Sequence, residues 1–436
     1  MGALGIASVL MLVAFLAGLH VASTLGLLSL SMMYFFSDRP LWDILGLLAW
    51  NTNTSFVLVA IPLFILMGEI LLRSGLSEQL YRVLSLWLRP LPGGLMHSNI
   101  AACATFAAMS GSSVATAATI GAVALPSFRA RGYDERLVLG SLAAGGTLGI
   151  LIPPSINFIV YGVLMEVSIG RLYMAGFVPG FMLSAIFMLI IFVAAVIWPQ
   201  VAPRERAAPI GEQLRAFVDM IPTFAIIFLV LGTIYFGVAT PTEAAAFGVV
   251  GAFLLALRTG LVSTTMMKGV CLATARTTGM IMFILTGAFI LNSVLALLGI
   301  PYAISKMVAE SGLSPTATMI LIVIFYLILG TFMDGFAMMV TTIPVLLPIL
   351  KTMNVDLIWF GVIAVLLTEA ALISPPEGLN LYVIHGLRDT PGQAKRTIMD
   401  VYIGVMPFFL AMIGAIVLLM IFPEIALWLP RTMKGN

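Results

Sequence analysis

Two apolar stretches of this 436-residue chain are each interrupted by a pair of prolines. The pairs are Pro153-Pro154, in GTLGILIPPSINFIVYG, and Pro375-Pro376, in EAALISPPEGLNLYVIHG. Because proline lacks a backbone N–H and clashes with the preceding helical turn, each pair should break a helix and free backbone carbonyls and amides. In lipid these groups are tolerated only where protein, water or a bound ion satisfies them. Two broken helices in corresponding halves of a chain therefore indicate the binding site of a transporter.

The composition indicates a membrane protein. Of the residues, 61% are hydrophobic and 9% are charged, whereas a soluble domain carries roughly 25% charged residues. We therefore predict an all-α, polytopic membrane protein whose surroundings are membrane lipid. The net charge of +2 is too small to suggest a nucleic-acid partner. The two cysteines lie in apolar runs without the spacing of a metal site, and we predict no cofactor.

The positions of the prolines repeat along the chain. A shift of 222 residues carries three prolines of the first half onto three of the second: Pro126, Pro153 and Pro154 onto Pro348, Pro375 and Pro376. Since the chain has only 23 prolines, we interpret this agreement as an internal duplication. The predicted repeats are residues 1–200 and 217–436, joined by a hydrophilic linker at 201–216.

Each repeat is predicted to contain a re-entrant helical hairpin followed by a broken transmembrane helix. The hairpins lie at 95–126 and 315–350, and the broken helices lie at 137–163 and 357–387. The first hairpin segment has a polar centre and is too short for two full spans of about 20 residues each. Its tip is predicted at 110–113.

The remaining apolar runs and the basic loops predict the topology. Scaffold spans are predicted at 4–20, 22–37, 54–72, 172–198, 217–236, 243–257, 270–297 and 397–424, with an amphipathic stretch at 300–312. Lysine and arginine, which are enriched in short cytoplasmic loops, concentrate at 73–94, 127–136, 201–216 and 388–396. All four loops can be cytoplasmic only if the two repeats have inverted topologies. The linker is then cytoplasmic, and both chain ends lie outside.

Four segments together resemble a known family. They are GSSVATAATIG at 111–121, LGILIPPSI at 148–156, TPTEAAA at 240–246 and ISPPEGLNLYVI at 373–384. In this order they resemble the large membrane subunit of tripartite ATP-independent periplasmic (TRAP) transporters, and the likeness covers essentially the whole chain. The second Pro-Pro motif of that family reads close to TPPVGLN, so Ser374 and Glu377 are departures from it.

The resemblance implies a secondary transporter of the elevator type in the bacterial inner membrane, so the chain ends that the basic loops place outside would be periplasmic. Sodium would drive the import of a small organic anion, such as a C4-dicarboxylate, a sialic acid or another sugar acid. A periplasmic substrate-binding protein would deliver the substrate. A separate small membrane subunit would flank the large one.

Sodium coupling also has a physical basis in the residues. A hard cation prefers oxygen ligands, which carbonyls freed at a helix break and hydroxyls at a hairpin tip supply. The first predicted sodium site combines tip serines with carbonyls of the first break: Ser110, Ser112, Ser113, Gly149, Ile152 and Pro154. The second predicted sodium site is formed by Asp334, Gly335, Thr368, Ala371 and Ser374. The alternative is that small residues at both tips merely permit close helix packing.

Substrate contacts are predicted near the two breaks. Helix N-termini offer oriented amides to an anion, so a carboxylate would lie between the breaks, where Asn157 and Asn380 either donate to it or serve packing alone. Arg276 could bind a carboxylate bidentately or snorkel at the cytoplasmic end of its span. Asp334 should face the protein interior, because an ionisable group at that depth costs ~2.5–3.5 kcal/mol. Glu369 could have a functional role or cap amides exposed by the second break.

Other classes of protein fit the sequence less well. A channel would need rings of charges or carbonyls around a symmetric axis, whereas duplicated broken helices favour alternating access. An intramembrane enzyme is not predicted, since the chain has no HExxH or GxSxG motif. A carboxylate transporter that couples to sodium or protons without a binding protein shares the hairpin pattern. Uptake by the purified protein alone in liposomes would separate that alternative from a TRAP transporter.

Overall fold

The computed structural model describes residues 5–6, 9–10, 13–14, 17–37, 42–388 and 397–433. Within these residues the chain forms nineteen α-helices and no β-strand. In chain order the helices are α1 (Val21–Phe36), α2 (Trp42–Asn53), α3 (Ala60–Arg73), α4 (Leu76–Leu88), α5 (Leu95–Ser110), α6 (Ser113–Ala130), α7 (Glu135–Leu151), α8 (Ile156–Met165), α9 (Ile169–Ile197), α10 (Ile210–Tyr235), α11 (Pro241–Thr259), α12 (Thr264–Leu297), α13 (Ile300–Glu310), α14 (Pro315–Leu329), α15 (Gly335–Thr352), α16 (Leu357–Ile373), α17 (Leu379–Arg388), α18 (Met399–Ile421) and α19 (Glu424–Arg431).

Six helices of the described part are long and apolar enough to cross a membrane: α9, α10, α11, α12, α15 and α18. The number rises to eight if each of two bent helix pairs forms one span. Helix α2 is bent by 53° relative to the segment Val57–Arg73, and α7 is bent by 43° relative to α8. The prediction of an all-helical, multi-pass membrane protein is therefore confirmed.

Each predicted hairpin segment forms two helices joined by a short turn. In the first hairpin, α5 and α6 meet at Gly111, whose φ of 61° favours glycine because it has no Cβ. Helix α6 begins after Ser112, which caps it by accepting a hydrogen bond from the Ala115 amide. In the second hairpin, α14 and α15 are joined by residues 330–334, and the Tyr326 and Thr342 hydroxyls are hydrogen-bonded across the pair.

Both Pro-Pro pairs lie in gaps between helices. Helix α7 ends at Leu151 and α8 begins at Ile156, so Pro153-Pro154 lies between them. Helix α16 ends before Pro375-Pro376, and α17 begins after that pair. We refer to α7 with α8 as the first broken helix and to α16 with α17 as the second.

The broken helices lie in the centre of the molecule. Every residue of α7 from Val138 to its end is buried, as is every residue of α16 from Trp359 to its end. Helix α7 contacts α5, α6, α9, α16 and α18. The outer helices form a second group in which α12 contacts α1, α2 and α3, and α11 contacts α3 and α10.

Some predicted boundaries are wrong. The segment 73–94, predicted as a loop, contains the amphipathic helix α4, whose Leu76 and Leu80 are buried while Arg82 is exposed. Its apolar residues recur with the helical period and cover the first hairpin, so helix formation buries them. The predicted linker 201–216 is shorter, because α10 begins at Ile210. Of the predicted span 4–20 the structure describes residues 5–6, 9–10, 13–14 and 17–20, and of the loop 388–396 it describes residue 388 alone.

The linker between the halves is held against the base of the first hairpin. The Arg131 guanidinium donates to Glu205 at 2.5 Å, and the Tyr133 hydroxyl donates to the other Glu205 oxygen at 3.0 Å. The Tyr133 oxygen also accepts from the Leu95 amide at 3.1 Å, at the first residue of α5. Burial raises the pKa of Tyr133 to about 12, so the hydroxyl keeps the proton that it donates to Glu205.

A cluster of ion pairs joins the ends of four central elements. Arg388, which is 3% exposed at the end of α17, donates to Glu135 of α7 at 2.9 and 3.1 Å. It also donates to Asp400 of α18 at 2.8 Å, and Asp400 accepts from Arg136 at 3.0 Å. The Arg129 guanidinium, at the end of α6, donates to the Arg388 carbonyl at 2.6 Å. The first hairpin, both broken helices and α18 are therefore connected at one end.

Replacing Arg388 by methionine should destabilise this connection. The change keeps an apolar stem but leaves two carboxylates without their shared partner, so we expect a loss of roughly 3 kcal/mol in the free energy of unfolding. Thermal unfolding of the purified protein in detergent measures the effect. The matched control is Arg431→Met, because Arg431 pairs with Glu424 at 2.6 Å where both side chains are exposed. Its loss should be below about 1 kcal/mol, and equal losses in the two variants would contradict the prediction.

Candidate functional site

The tip of the first hairpin lies against the first helix break. A Cβ added to Gly149 would be 2.6 Å from the Ser112 carbonyl oxygen and 2.7 Å from the Ser113 Cα. A Cβ added to Gly111 would be 3.0 Å from the Pro154 carbonyl oxygen. Only glycine permits these backbone approaches. The structure therefore brings the tip serines of the first predicted sodium site together with Gly149 and with the break that contains Ile152 and Pro154.

The tip hydroxyls have partners within the protein. The Ser113 hydroxyl lies 3.2 Å from the Thr147 carbonyl and 3.1 Å from both carboxylate oxygens of Glu369. The Ser110 hydroxyl is 2.9 Å from the hydroxyl of Thr116. Ser112, besides capping α6, accepts from the Thr116 hydroxyl through its carbonyl at 2.8 Å. The tip thus presents hydroxyl and carbonyl oxygens in an ordered network.

The second hairpin approaches the second broken helix in a similar way. A Cβ added to Gly335 would be 2.7 Å from the Thr368 carbonyl oxygen. A Cβ added to Gly330, four residues before Asp334, would be 2.7 Å from the Cβ of Ala371. Beside this contact lies a cavity of about 90 Å³, lined by Met333, Asp334, Gly335, Ala371, Leu372, Glu377 and Leu379. Ser374 is buried at the end of α16, with its hydroxyl 3.5 Å from the Pro375 carbonyl.

Asp334, which the sequence predicts to face the protein interior, lines this cavity between the second hairpin and the second broken helix. It is exposed at the rim of this cavity, and its carboxylate caps α15 by accepting from the Phe336 amide at 3.1 Å and the Ala337 amide at 3.3 Å. A side-chain cap satisfies amides that have no partner inside the helix. The cap places the carboxylate next to Gly335 and the cavity.

The two asparagines join the broken helices to each other. Asn157 of α8 donates to the Thr368 hydroxyl of α16 at 3.3 Å, and Asn380 of α17 donates to the Ala143 carbonyl of α7 at 3.2 Å. They are 4% and 0% exposed. Within the described residues the Asn380 Oδ1 atom is buried and has no hydrogen-bond partner. The amides that sequence reasoning assigned to the substrate are therefore used, in this arrangement, for contacts between helices.

Arg276 lies apart from the two breaks. Its side chain is exposed on α12. This helix contacts the second hairpin farther along, where Ala288, Leu291, Asn292 and Leu295 line a small cavity shared with α15. Twelve residues separate Arg276 from Ala288, which is about 18 Å along a helix. The structure does not bring Arg276 together with the asparagines.

Glu369 occupies a position that the sequence left open. This carboxylate of α16 is 0% exposed and accepts from the Ile150 amide of α7 at 3.2 Å, in addition to the Ser113 hydroxyl. It caps an amide, as one interpretation of the sequence suggested, but at the first break rather than at its own. The signal in the sequence is a carboxylate in an otherwise apolar run. The partner lies more than 200 residues away and could not be found locally.

The family comparison decides the class of protein. The sequence matches the model of the tripartite ATP-independent periplasmic transporter, DctM component, over residues 8–425. The chain belongs to this family. This match confirms the resemblance to TRAP large permeases drawn from the four motifs. The members of the family are transporter components and not enzymes.

Two curated proteins show how closely this TRAP permease resembles its relatives. It is 32% identical over 441 residues to the C4-dicarboxylate TRAP transporter large permease protein DctM of Rhodobacter capsulatus, covering 97% of each chain. It is 29% identical over 389 residues to the sialic acid TRAP transporter large permease protein SiaM of Vibrio cholerae, covering 87% of this chain and 88% of that one.

A solved structure shows the same fold. The YdaH transporter of Alcanivorax borkumensis superposes with a TM-score of 0.66 at 16% sequence identity, covering 96% of this permease and 99% of that chain. At this identity the likeness concerns the fold alone. The helical architecture of the permease is therefore that of a membrane transporter.

Proposed function

We propose that this permease is the large transmembrane subunit of a sodium-coupled secondary transporter that imports a small organic anion. The observation that carries the proposal is the pair of hairpin tips, each laid against a broken helix where glycines allow close contact with backbone oxygens. The relatives, named for a C4-dicarboxylate and for sialic acid, support a carboxylate substrate of this size. Another sugar acid belongs to the same chemical class.

Oxygen atoms at the first hairpin tip support sodium as the coupling ion. The carbonyls of Ser112, Thr147 and Pro154 and the hydroxyl of Ser113 all lie within the contact between the tip and α7. Such neutral oxygens suit a small hard cation. At the second site the corresponding features are the Thr368 carbonyl, the Asp334 carboxylate and the cavity that Asp334 lines.

The substrate anion is proposed to lie between the half-helix N-termini of α8 and α17. Backbone amides at a helix start favour an anion. Asn157 and Asn380 hold these two segments against the opposite broken helix and so set their positions. In this proposal the asparagines position the two helix starts. They do not donate directly to the substrate, which is one of the roles that the sequence predicts for them.

Inverted repeats and an elevator motion are part of the proposal. The asparagine contacts support the repeats because they are reciprocal: α8 reaches α16, and α17 reaches α7. The ion-pair cluster around Arg388 supports a rigid transport domain, since it connects the first hairpin, both broken helices and α18. In the bacterial inner membrane this domain would move against the outer helices, with both chain ends in the periplasm.

The complete transporter is proposed to include a small membrane subunit and a periplasmic substrate-binding protein. The test is uptake of labelled succinate or N-acetylneuraminate into liposomes that contain both membrane subunits, with the binding protein of the same transporter added. We expect uptake under an inward sodium gradient and not under an equal potassium gradient. Equal uptake under potassium would contradict sodium coupling. Uptake by the large subunit alone would favour the transporter class that needs no binding protein.

A further inference from the structure

We propose that Glu369 couples the two candidate cation sites. Its carboxylate positions the ligands of the first site, while the helix that carries it forms the second. The inference rests on the proposed sodium coupling and adds a residue that neither predicted site included. Glu369 acts here as a positioning residue, because its contacts are with protein groups next to the sites.

At the first site Glu369 orients the Ser113 hydroxyl. A serine hydroxyl has one proton to donate and two lone pairs to offer. With the proton directed to the carboxylate at 3.1 Å, the lone pairs are free for a cation at the tip. The same carboxylate accepts from the Ile150 amide at 3.2 Å, next to Gly149. One side chain therefore sets the geometry of both the hairpin tip and the helix break.

At the second site the contact with the hairpin is made by Thr368, the residue before Glu369 in α16. The Thr368 carbonyl touches the Gly335 position of the second hairpin, where an added Cβ would lie 2.7 Å away. The Thr368 hydroxyl accepts from Asn157 of α8 at 3.3 Å. A continuous path thus runs from the tip of the second hairpin through Thr368 and Glu369 to the tip of the first.

Glu369 is buried, and its contacts are all with groups of the protein. The side chain is 0% exposed, and in the part of the chain that the structure describes no basic side chain pairs with it. Its hydrogen-bonding partners are therefore the Ser113 hydroxyl and backbone of the first break. A cation that orders the first tip also restrains α16, and with it the Thr368 carbonyl at the second site. The two sites should bind cations cooperatively.

The test is a sodium titration of Glu369→Gln in the complex with the small subunit and the binding protein. Glutamine replaces one of the two acceptor oxygens by an NH2 donor, so a single oxygen is left for both the Ser113 hydroxyl and the Ile150 amide, and the second contact to Ser113 is lost. We expect the sodium concentration for half-maximal uptake to rise at least about tenfold, as for other partners that orient metal ligands. The Hill coefficient for sodium should fall toward one.

The matched control is Asp356→Asn on the same helix. Asp356 caps the start of α16 by accepting from the Ile358 amide at 2.8 Å and the Trp359 amide at 3.1 Å. The chemical change is the same, asparagine caps helices about as well as aspartate, and the residue lies far along α16 from Glu369. Its sodium dependence should match that of the unmodified protein.

A second measurement covers the case in which Glu369→Gln does not fold. Glu369→Asp keeps the carboxyl group but shortens the side chain by one methylene, which withdraws it from Ser113. The increase in thermal unfolding temperature caused by sodium, relative to potassium, reports binding in either variant without transport. This sodium-dependent increase should shift to higher sodium concentration in Glu369→Asp and should be unchanged in Asp356→Asn.

The outcomes separate this inference from the proposed function. If the unmodified transporter shows no difference between sodium and potassium, the sodium coupling itself fails. If it responds to sodium cooperatively and Glu369→Gln keeps the same half-maximal concentration and Hill coefficient, the coupling role of Glu369 is overturned while the proposed function stands. A raised half-maximal concentration with an unchanged Hill coefficient also overturns coupling. Both changes together support it.

Discussion

Replacing Gly149 by alanine should reduce sodium-driven uptake at least about 100-fold, because a misplacement of about 1 Å at a working site is sufficient for such a loss. The added Cβ would lie 2.6 Å from the Ser112 carbonyl oxygen and 2.7 Å from the Ser113 Cα. Both neighbours are backbone atoms, so no side chain can rotate away. The hairpin tip must move from the break, and the oxygens proposed to bind the first cation then separate. Uptake into liposomes under a sodium gradient measures the loss.

The control for Gly149 is Gly279→Ala. Gly279 is a helical glycine of α12 with no atom within 4 Å of an added Cβ, so alanine there should leave uptake within about twofold of the unmodified protein. Thermal unfolding of both variants shows whether the protein is folded. Sodium-driven uptake by folded Gly149→Ala at the level of the control would show that the tip need not touch the break.

Replacing Gly404 by alanine should have the largest effect on stability. Helices α7 and α18 cross so closely that a Cβ on Gly404 would lie 1.9 Å from the Arg136 carbonyl oxygen. The contact is reciprocal, since a Cβ on Gly140 would lie 1.9 Å from the Gly404 carbonyl oxygen. Overpacking a core typically costs about 1–3 kcal/mol, and here the helices themselves must separate. We expect a loss of at least about 3 kcal/mol, measured by thermal unfolding in detergent.

The matched control for Gly404→Ala is Gly414→Ala on the same helix. Gly414 of α18 has no atom within 4 Å of an added Cβ, and alanine at a helix interior is more favourable than glycine by roughly 0.5–1 kcal/mol. Gly414→Ala should therefore be neutral or slightly stabilising. A similar unfolding temperature for the two variants would contradict the close crossing of α7 and α18.

Much of the helical framework could be predicted because its signals are local. The apolar runs predict the spans, and α9, α10, α11, α12 and α18 lie where the sequence places them. Proline acts on the turn in which it lies, so the gaps at Pro153-Pro154 and Pro375-Pro376 could be placed from the sequence. Glycine and serine at 110–113 mark the first hairpin tip because their preferences for turns and helix caps are also local.

Other features depended on what the chain packs against. The arginines of the segment 73–94 predict a loop, whereas the apolar stripe of α4 has a role only because it packs against the first hairpin. A carboxylate in an apolar run is expected inside the protein, and only the packing shows that Asp334, at the start of α15, caps amides beside a cavity. Arg276 was a candidate by residue type alone, and its place on α12 is away from the breaks.

The sequence by itself determined the membrane setting, the helix breaks and the family, since hydropathy, proline chemistry and short motifs are properties of neighbouring residues. Only the tertiary structure decided which polar groups meet. Glu369 and Ser113 are 256 positions apart, and Asn380 and Ala143 are 237 apart. A buried polar group accepts whichever partner the packing brings to it, and no local pattern records a partner in the other half of the chain.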